Sequence, residues 1–168
     1  MPTERSQTSS WIPEAEYNQI LAKVPIVCVD LLPLASIDSK NPGSIGLIFR
    51  ETHDGKSGWC LIGGCIQRNE QLGVAVARHL KETLGTNFVL SQVTLKQLEI
   101  IEYFTQPELG EFCDPRKHAI GITYSAECQG QPVAQGEAKE FRWFNRDQLW
   151  DLEFGFGQGA VIEKLLRS

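Results

Sequence analysis

The chain has 168 residues, a length that fits one domain and can enclose a sizeable core. Its 42% hydrophobic and 22% charged residues argue against a disordered or collagen-like chain. The net charge of −5 and the lack of any run of Lys and Arg argue against general binding to nucleic acids or membrane surfaces.

The cysteines indicate a reducing compartment. There are five of them, an odd number with no Cys-x-x-Cys pair, and three of the five lie in apolar runs. The five are Cys28, Cys60, Cys65, Cys113 and Cys128. We therefore predict buried free thiols rather than a disulfide framework. The N-terminus is polar, and no apolar run approaches the roughly 18 residues that a membrane span requires. These features predict a cytoplasmic protein with no membrane partner.

The first third of the sequence predicts a tail, a helix and a strand. Residues 1–10 are polar and are predicted to form a flexible tail, followed by a single domain over residues 11–168. Trp11–Val24 is predicted to form a short helix, because Pro13 suits its first turn. Pro25–Leu34 is almost wholly apolar and rich in β-branched residues, which predicts a buried strand.

A hairpin and a central helix are predicted next. Ile45–Arg50 and Trp59–Ile62 flank a turn at His53–Lys56, whose Asp-Gly pair is typical of hairpins. The helix is expected over Gln71–Leu84, and Gly85 is expected to end it in the left-handed conformation.

The remaining sequence predicts three more strands and a terminal helix. The strands are expected at Lys96–Phe104, His118–Cys128 and Glu140–Phe144, a helical turn at Arg146–Asp151 and the last helix at Ala160–Arg167. An acidic loop, Thr105–Lys117, separates the first two of these strands. Strands predominate around one well-marked helix, so the predicted class is α+β.

The segment between Gly64 and Gly85 has a characteristic spacing of glycine and charged residues. Five residues separate Gly64 from Glu70, and seven separate Glu70 from Arg78; Leu80, Glu82 and Gly85 continue the pattern. This spacing resembles the Nudix box, G-x5-E-x7-R-E-U-x-E-E-x-G-U, where U is aliphatic. The resemblance implies a Nudix fold, a mixed β-sheet between α-helices. Three positions depart from the pattern, at His79, Thr83 and Thr86.

The departures affect the metal site that the resemblance implies. The Nudix helix presents carboxylates at positions i, i+3 and i+4 of one face, where they hold Mg²⁺ or Mn²⁺ against substrate phosphates. These positions hold His79, Glu82 and Thr83 here, so one carboxylate remains. Glu82 is the predicted metal ligand, aided by the Gly64 carbonyl; its alternative is an ion pair with Arg78. Glu70 is expected to orient the loop or to pair with Arg78.

The chain is also similar to the GDP-mannose mannosyl hydrolases, Nudix members that lack the first glutamate of the helix motif, and to uncharacterised bacterial Nudix proteins. The similarity to the mannosyl hydrolases extends from about Glu14 to Asn145. In that enzyme group a Gln-His pair before the last strand supplies a metal ligand and the base. Glu137 and Ala138 occupy those positions here. The resemblance therefore implies Glu137 as a metal ligand and leaves the base unassigned.

Three ionisable residues are candidates for catalysis. His79 could act as the general base, since an imidazole titrates near neutral pH, or it could be a surface histidine that replaced the glutamate. His118 could act as a base within a small basic cluster, or it could belong to a strand-edge patch. Asp30 lies in an apolar strand and needs a partner there, either ligand hydroxyls or Arg50.

Three further residues are candidates for substrate binding. Arg50 and Arg116 are expected to contact a diphosphate, and Tyr103 to stack on a nucleobase. Together these residues predict a metal-dependent hydrolase of a nucleoside diphosphate linked to another group, such as a nucleotide sugar like GDP-mannose. The alternative is a ligand-binding module that has lost catalysis along with its carboxylates. The N-terminal segment and the resemblance to the mannosyl hydrolases also favour a homodimer.

Overall fold

The computed structural model describes residues 12–91 and 95–167. The helices of this part are α1 (Glu14–Leu21), α2 (Leu72–Leu84) and α3 (Gln158–Arg167). The strands are β1 (Ile26–Ala35), β2 (Ile45–Glu51), β3 (Ser57–Cys60), β4 (Ile62–Cys65), β5 (Phe88–Leu90), β6 (Lys96–Phe104), β7 (Phe112–Cys113), β8 (Ala119–Gly130) and β9 (Glu140–Phe144). Short 3₁₀ turns lie at Pro107–Leu109 and Arg146–Asp151. No helix in these residues combines the length and apolar character needed to cross a bilayer.

All the strands belong to one mixed sheet, centred on the parallel pair β1 and β8. The main path runs β3-β2-β1-β8-β6-β7, with β9 beside β2. The outer edge of β1 pairs with β4 over residues 28–31 and with β2 at Leu34. In the same way, β8 pairs with β6 in its first half and with β5 at its end. Along its outer edge, each central strand therefore has one neighbour near its start and another near its end.

The sheet separates two cores, because alternate side chains of a strand point to opposite faces. Val29 and Leu31 of β1 belong to the core beneath α2, which contributes Ala75, Val76, Leu80 and Leu84. Cys28 and Leu32 belong to the opposite core, to which α3 contributes Val161, Ile162 and Leu165. The predicted α+β arrangement, a mixed sheet between the box helix and the terminal helix, is confirmed.

Two local predictions need correction. The strand expected over Trp59–Ile62 is interrupted at Leu61, whose amide donates to Gln158 Oε1 at 2.8 Å. The chain changes neighbours there, so that β3 pairs with β2 and β4 pairs with β1. Gly85 ends α2 with the expected positive φ of 82°, but its ψ of 175° is extended, not left-handed helical.

The other element predictions agree within a few residues. β6, β9 and the turn at Arg146–Asp151 have the expected bounds, and the hairpin turns at Gly55, where φ is 76°. The short strands β5 and β7 were not predicted. The predicted tail over residues 1–10 and the helix start at Trp11 lie outside the described residues.

Candidate functional site

The loop before α2 is fastened to the helix by an ion pair. Arg78 donates to both carboxylate oxygens of Glu70, from Nε at 2.7 Å and from Nη2 at 2.8 Å. Arg78 Nη2 also donates to the Cys65 carbonyl at 3.1 Å, and the Gln67 amide donates to Glu70. The bonds from Arg78 hold the pKa of Glu70 down to about 2. Glu70 therefore pairs with Arg78, one of the two arrangements expected from the sequence.

His79 lies against Gly64. A Cβ added at Gly64 would lie 2.7 Å from His79 Cε1, so any other residue there would displace the ring from this position. His79 Nε2 is 3.1 Å from the Cys65 carbonyl, and Nδ1 is 3.9 Å from Glu82 Oε2. Because a carbonyl only accepts hydrogen bonds, Nε2 carries a proton. Nδ1 is then the ring nitrogen that faces Glu82.

The segment after β8 is attached to the C-terminal end of α2. The amides of Val133 and Gln135 donate to the carbonyls of Leu84 and Thr83, both at 2.9 Å. The Gln135 side chain donates to the carbonyls of Lys81 and Glu82. These bonds satisfy helix carbonyls that have no partner within the helix. They also hold Glu137, two positions after Gln135, near α2, the helix of the box.

Glu137 joins the helix to the strand that carries Arg50. Arg50 Nη1 lies 2.7 Å from Glu137 Oε2. Burial raises the pKa of Glu137, while the charges of Arg50, His79 and Arg116 oppose that increase and Glu82 adds to it. The fold thus gathers five of the predicted site residues into one charged cluster, Arg50, His79, Glu82, Arg116 and Glu137, which we call the charged cluster.

Phe156 packs against two arginines of the charged cluster. The guanidinium carbons of Arg50 and Arg116 lie 5.0 and 4.3 Å from its ring centroid, and the His53 ring stacks at 5.9 Å. Phe156 has a φ of 54°, which is uncommon for a bulky residue. The sequence analysis missed it, because it lies outside every predicted element; its one visible feature is the glycine on either side.

A cavity of about 700 Å³ opens beside Phe156. Its walls combine aromatic and acidic side chains and include His53, Asp54, Asp114, Phe154 and Phe156. Asp114 also binds Arg116 through both carboxylate oxygens, at 2.7 and 2.8 Å. The volume is typical of sites for small molecules. The cavity therefore places aromatic rings next to the two arginines predicted to bind a diphosphate.

Asp30 and Tyr103 are buried in the interior near each other. Asp30 is 9% exposed; burial raises its pKa to about 6, and the Lys117 ammonium opposes that shift. Arg50 is not the partner of Asp30, since it pairs with Glu137. Tyr103 is 8% exposed, and its hydroxyl has no hydrogen-bond partner among the described residues. No face of that ring is open for stacking in this structure.

His118 lies just before β8, and its contacts are with β6. Its Nε2 is 3.4 Å from Glu102 Oε1, and its ring stacks on Phe104 at 5.0 Å. None of the described contacts joins it to the charged cluster. The structure therefore brings together His79 and the two arginines, and places His118 elsewhere on the sheet.

Comparisons with known proteins place the chain in a family. Residues 7–166 match the model described as "Domain of unknown function (DUF4916)". The chain belongs to this family. It is also 32% identical, over 127 residues and 74% of each chain, to the low-salt glycan biosynthesis protein Agl8 of Haloferax volcanii.

Several solved structures share this architecture, and among them is a domain named NUDIX. A possible asymmetric diadenosine tetraphosphate hydrolase from Jonesia denitrificans superposes with a TM-score of 0.72 at 24% identity, covering 86% of this chain and 94% of that one. The NUDIX domain of Shewanella oneidensis NrtR, complexed with ADP ribose, has a TM-score of 0.65 at 21% identity, covering 93% and 98%.

A bifunctional NMN adenylyltransferase/ADP ribose pyrophosphatase from Francisella tularensis, complexed with AMP and a Mn ion, has a TM-score of 0.63 at 20% identity, covering 91% of this chain and 45% of that one. These likenesses show that this member of the DUF4916 family has the Nudix fold.

The ligand set for a metal in this Nudix fold is small. Within the described residues, no group of three or more His, Cys, Asp or Glu side chains could hold a metal ion. Glu82 and Glu137 supply two carboxylates, but Arg78 contacts the first at 3.2 Å and Arg50 the second. Mg²⁺ is commonly held by one or two carboxylates plus substrate phosphates. Two such carboxylates would therefore need substrate phosphates to complete a metal site.

Proposed function

We propose that the protein hydrolyses a nucleoside diphosphate linked to another group, with a nucleotide sugar such as GDP-mannose as the first candidate. The observation that carries the proposal is the charged cluster, where Arg50 and Arg116 contact Phe156, Arg50 pairs with Glu137, and Glu137 also senses the charges of His79 and Glu82 on the box helix. Such an arrangement supplies both the cations for a diphosphate and the oxygen ligands for its metal.

Arg50 and Arg116 are the proposed diphosphate ligands. A guanidinium donates in a planar fork that matches phosphate oxygens, and Phe156 holds both groups by contact with its ring. The adjoining cavity offers His53 and Phe154 as apolar surface for a nucleoside. Tyr103 would take that role only if its ring became exposed. The nucleotides bound in two related folds, ADP ribose and AMP, support this substrate class.

Glu82 and Glu137 are the proposed ligands of Mg²⁺ or Mn²⁺, with the Gly64 carbonyl as a third. The metal would neutralise phosphate charge and lower the pKa of a bound water. Arg50, which now contacts Glu137, would turn to the incoming phosphates, whereas Arg78 would keep its bonds to Glu70. The Mn ion in the Francisella tularensis structure supports the choice of cofactor.

His79 is the proposed general base. Its Nε2 is occupied by the Cys65 carbonyl, so Nδ1 on the Glu82 side is the nitrogen that can accept a proton from the attacking water. Asp30 and His118 remain candidates for the same role. Asp30 is buried near Lys117, and His118 contacts Glu102, so neither has a described contact with the two metal carboxylates.

The sugar part of the substrate is supported by one relative. The similarity to Agl8, named as a glycan biosynthesis protein, favours a nucleotide sugar over a dinucleotide.

We further propose a cytoplasmic homodimer. All five cysteines are free in the structure, three of them buried and two half-buried, and free thiols suit a reducing compartment.

The test is phosphorus NMR of the protein with nucleoside diphosphate sugars, including GDP-mannose, and Mg²⁺ or Mn²⁺. A nucleoside diphosphate product means attack at the sugar carbon, and a monophosphate means cleavage of the diphosphate. Glu82→Gln is expected to lower turnover at least about tenfold, because it weakens the metal site. Glu108→Gln, an exposed carboxylate far along the chain, serves as the control. Unchanged turnover in Glu82→Gln would remove Glu82 from the metal site.

A binding module is the second candidate. It is favoured by the arginine contacts of Glu82 and Glu137, which leave no described group of three metal-binding side chains. Calorimetric titration with the nucleotide sugar, with and without Mg²⁺, distinguishes the binding module from the hydrolase. A binder would take up the nucleotide sugar without turning it over and without requiring Mg²⁺, whereas the proposed hydrolase binds the metal and the nucleotide together.

A further inference from the structure

Two cysteines lie side by side on adjacent strands, on the same face of the sheet. Cys28 of β1 and Cys65 of β4 are directly opposite partners in the antiparallel pairing, and their sulfur atoms lie 3.7 Å apart. They are separated by 37 positions in the sequence, so the fold alone brings them together. Their side chains lie on the face of the sheet away from α2.

Polar groups surround this pair. The Lys117 ammonium lies 3.6 Å from both sulfur atoms, and the Tyr17 hydroxyl lies 3.0 Å from the sulfur of Cys65. Cys65 is half-buried, whereas Cys28 is 7% exposed. Cys65 is therefore the more accessible residue of the pair.

The backbone spacing suits a bond between the two sulfurs. Opposed residues of antiparallel strands have Cα atoms about 4.5–5.5 Å apart. That range overlaps the roughly 4.4–6.8 Å of native disulfides. Rotation of the two side chains can therefore bring the sulfurs to bonding distance without separating the strands.

The other cysteines lack this arrangement. Cys60 and Cys128 are buried, and their thiols contact the carbonyls of Gly58 and Ala126. Cys113 is half-buried on β7 and has no described contact with another cysteine. The pair at Cys28 and Cys65 is therefore distinguished among the cysteines by geometry.

We propose that Cys28 and Cys65 form a redox site that reduces a hydroperoxide and becomes a disulfide. The sulfur of Cys65, the more accessible residue, attacks the peroxide, the O–O bond breaks, and Cys65 becomes a sulfenic acid as water or an alcohol leaves with the thiol proton. The sulfur of Cys28 then attacks that of Cys65, the S–O bond breaks, and water leaves with the proton of Cys28. Two thiols supply two electrons, so one peroxide is consumed per disulfide.

The disulfide would form at the start of the box, at Cys65, without using the proposed catalytic residues. The carbonyl of Cys65 accepts hydrogen bonds from Arg78 and His79, so the new bond would tie β4 to β1 just before the loop that Arg78 holds. This redox site depends on none of the hydrolase chemistry proposed above. It is tested by the oxidation state of Cys28 and Cys65 alone.

The experiment treats the reduced full-length protein with one equivalent of hydrogen peroxide, then alkylates the remaining thiols under denaturing conditions. Mass spectrometry of the tryptic peptides is expected to show residues 24–40 joined to residues 57–68, with two hydrogen atoms lost. Fragmentation identifies which of Cys60 and Cys65 is bonded. Dithiothreitol is expected to restore all five alkylation sites.

Matched variants decide the assignment. Cys113→Ser is expected to leave the cross-link unchanged, whereas Cys65→Ser abolishes it. In Cys28→Ser, dimedone is expected to trap a sulfenic acid at Cys65, since the second thiol is gone. The proposal is overturned if the wild-type protein gives no bond between residues 28 and 65. It is equally overturned if the main product is a dimer linked through Cys113, or a bond to Cys60.

Discussion

Asp30 shows what a single buried carboxyl contributes to this fold. It belongs to a central strand, is 9% exposed and has a pKa of about 6. Burial is the largest cause, and the nearby Lys117 ammonium only partly offsets it. At neutral pH the fold therefore holds an ionised group whose burial costs free energy.

This cost predicts a pH dependence. The unfolded carboxyl has a pKa near 3.9, so between about pH 4 and pH 6 the native state keeps a proton that the unfolded chain has lost. The contribution of Asp30 to the free energy of unfolding therefore falls as the pH rises through this window, and is constant above it. Asp30→Asn removes the ionisation and is expected to stabilise the protein at pH 7.5 by up to about 3 kcal/mol.

Urea unfolding at pH 3.5 and pH 7.5 checks this expectation. The variant and the wild type should differ little at the lower pH and most at the higher. Asp38→Asn, in the exposed loop after β1, is the matched control. If Asp30→Asn destabilises the protein equally at both pH values, the effect does not depend on ionisation of Asp30, and the proposed cost is wrong.

The position of the box helix, α2, depends on its connection to the preceding loop. Arg78 donates to Glu70 through two nitrogens and to the Cys65 carbonyl, so one side chain joins β4, the loop and α2. Lysine has a single donor group and cannot reproduce this planar arrangement. The helix end is held separately, by the segment that carries Gln135.

Arg78→Lys is therefore expected to lower the free energy of unfolding at pH 7 by about 1.5–3 kcal/mol, the usual range for hydrogen bonds to charged groups. The contribution of Glu70 has a defined pH window. Its folded pKa of about 2 lies below the unfolded value, so the contribution is present above about pH 4.5 and is lost as the pH falls towards 2.

Thermal melts of Arg78→Lys and wild type at pH 7 and pH 3 measure both effects, and the difference between them should shrink at the lower pH. Arg68→Lys, an exposed arginine of the same loop, is the control and should melt like the wild type. A difference between Arg78→Lys and wild type that does not change with pH would show that Glu70 is not the important partner of Arg78.

The elements that the sequence predicted well are those set by local pattern. β6 and β9 follow from apolar runs with clear ends, and the hairpin from the Asp54-Gly55 turn. The break at Leu61 depends instead on Gln158, 97 positions further on, which no local pattern contains. β5 and β7 are three and two residues long, too short for periodicity to be visible.

The contacts of the site were likewise predictable only where they follow from local sequence spacing. The spacing of the box predicted Arg78 and Glu82 on one helix, and their contact at i and i+4 follows from helix geometry. The partner of Arg50 was not predictable, because Glu137 reaches it only once the segment after β8 is attached to α2. Phe156 lies in a segment with no predicted element, so its contact with two arginines required the structure.

For the whole molecule, the sheet is shared by both cores. Leu84 of α2 is fully buried on one face, and Ile162 of α3 is 1% exposed on the other. The same strands contribute alternate side chains to each core, so loss of either helix would expose the sheet that supports the second. We therefore expect residues 11–168 to unfold as one cooperative unit, as the sequence predicted for a single domain.

Leu84→Ala and Ile162→Ala test this, one on each face. Each is expected to lower the free energy of unfolding by about 2–5 kcal/mol, because a buried side chain is replaced by a cavity. Far-ultraviolet circular dichroism follows the whole backbone, whereas fluorescence follows the tryptophans, of which Trp59 lies in the α3-side core. In both variants the two probes should shift together and share one midpoint. If the two probes gave different midpoints in either variant, parts of the molecule would unfold independently, and the shared sheet would not couple the two faces.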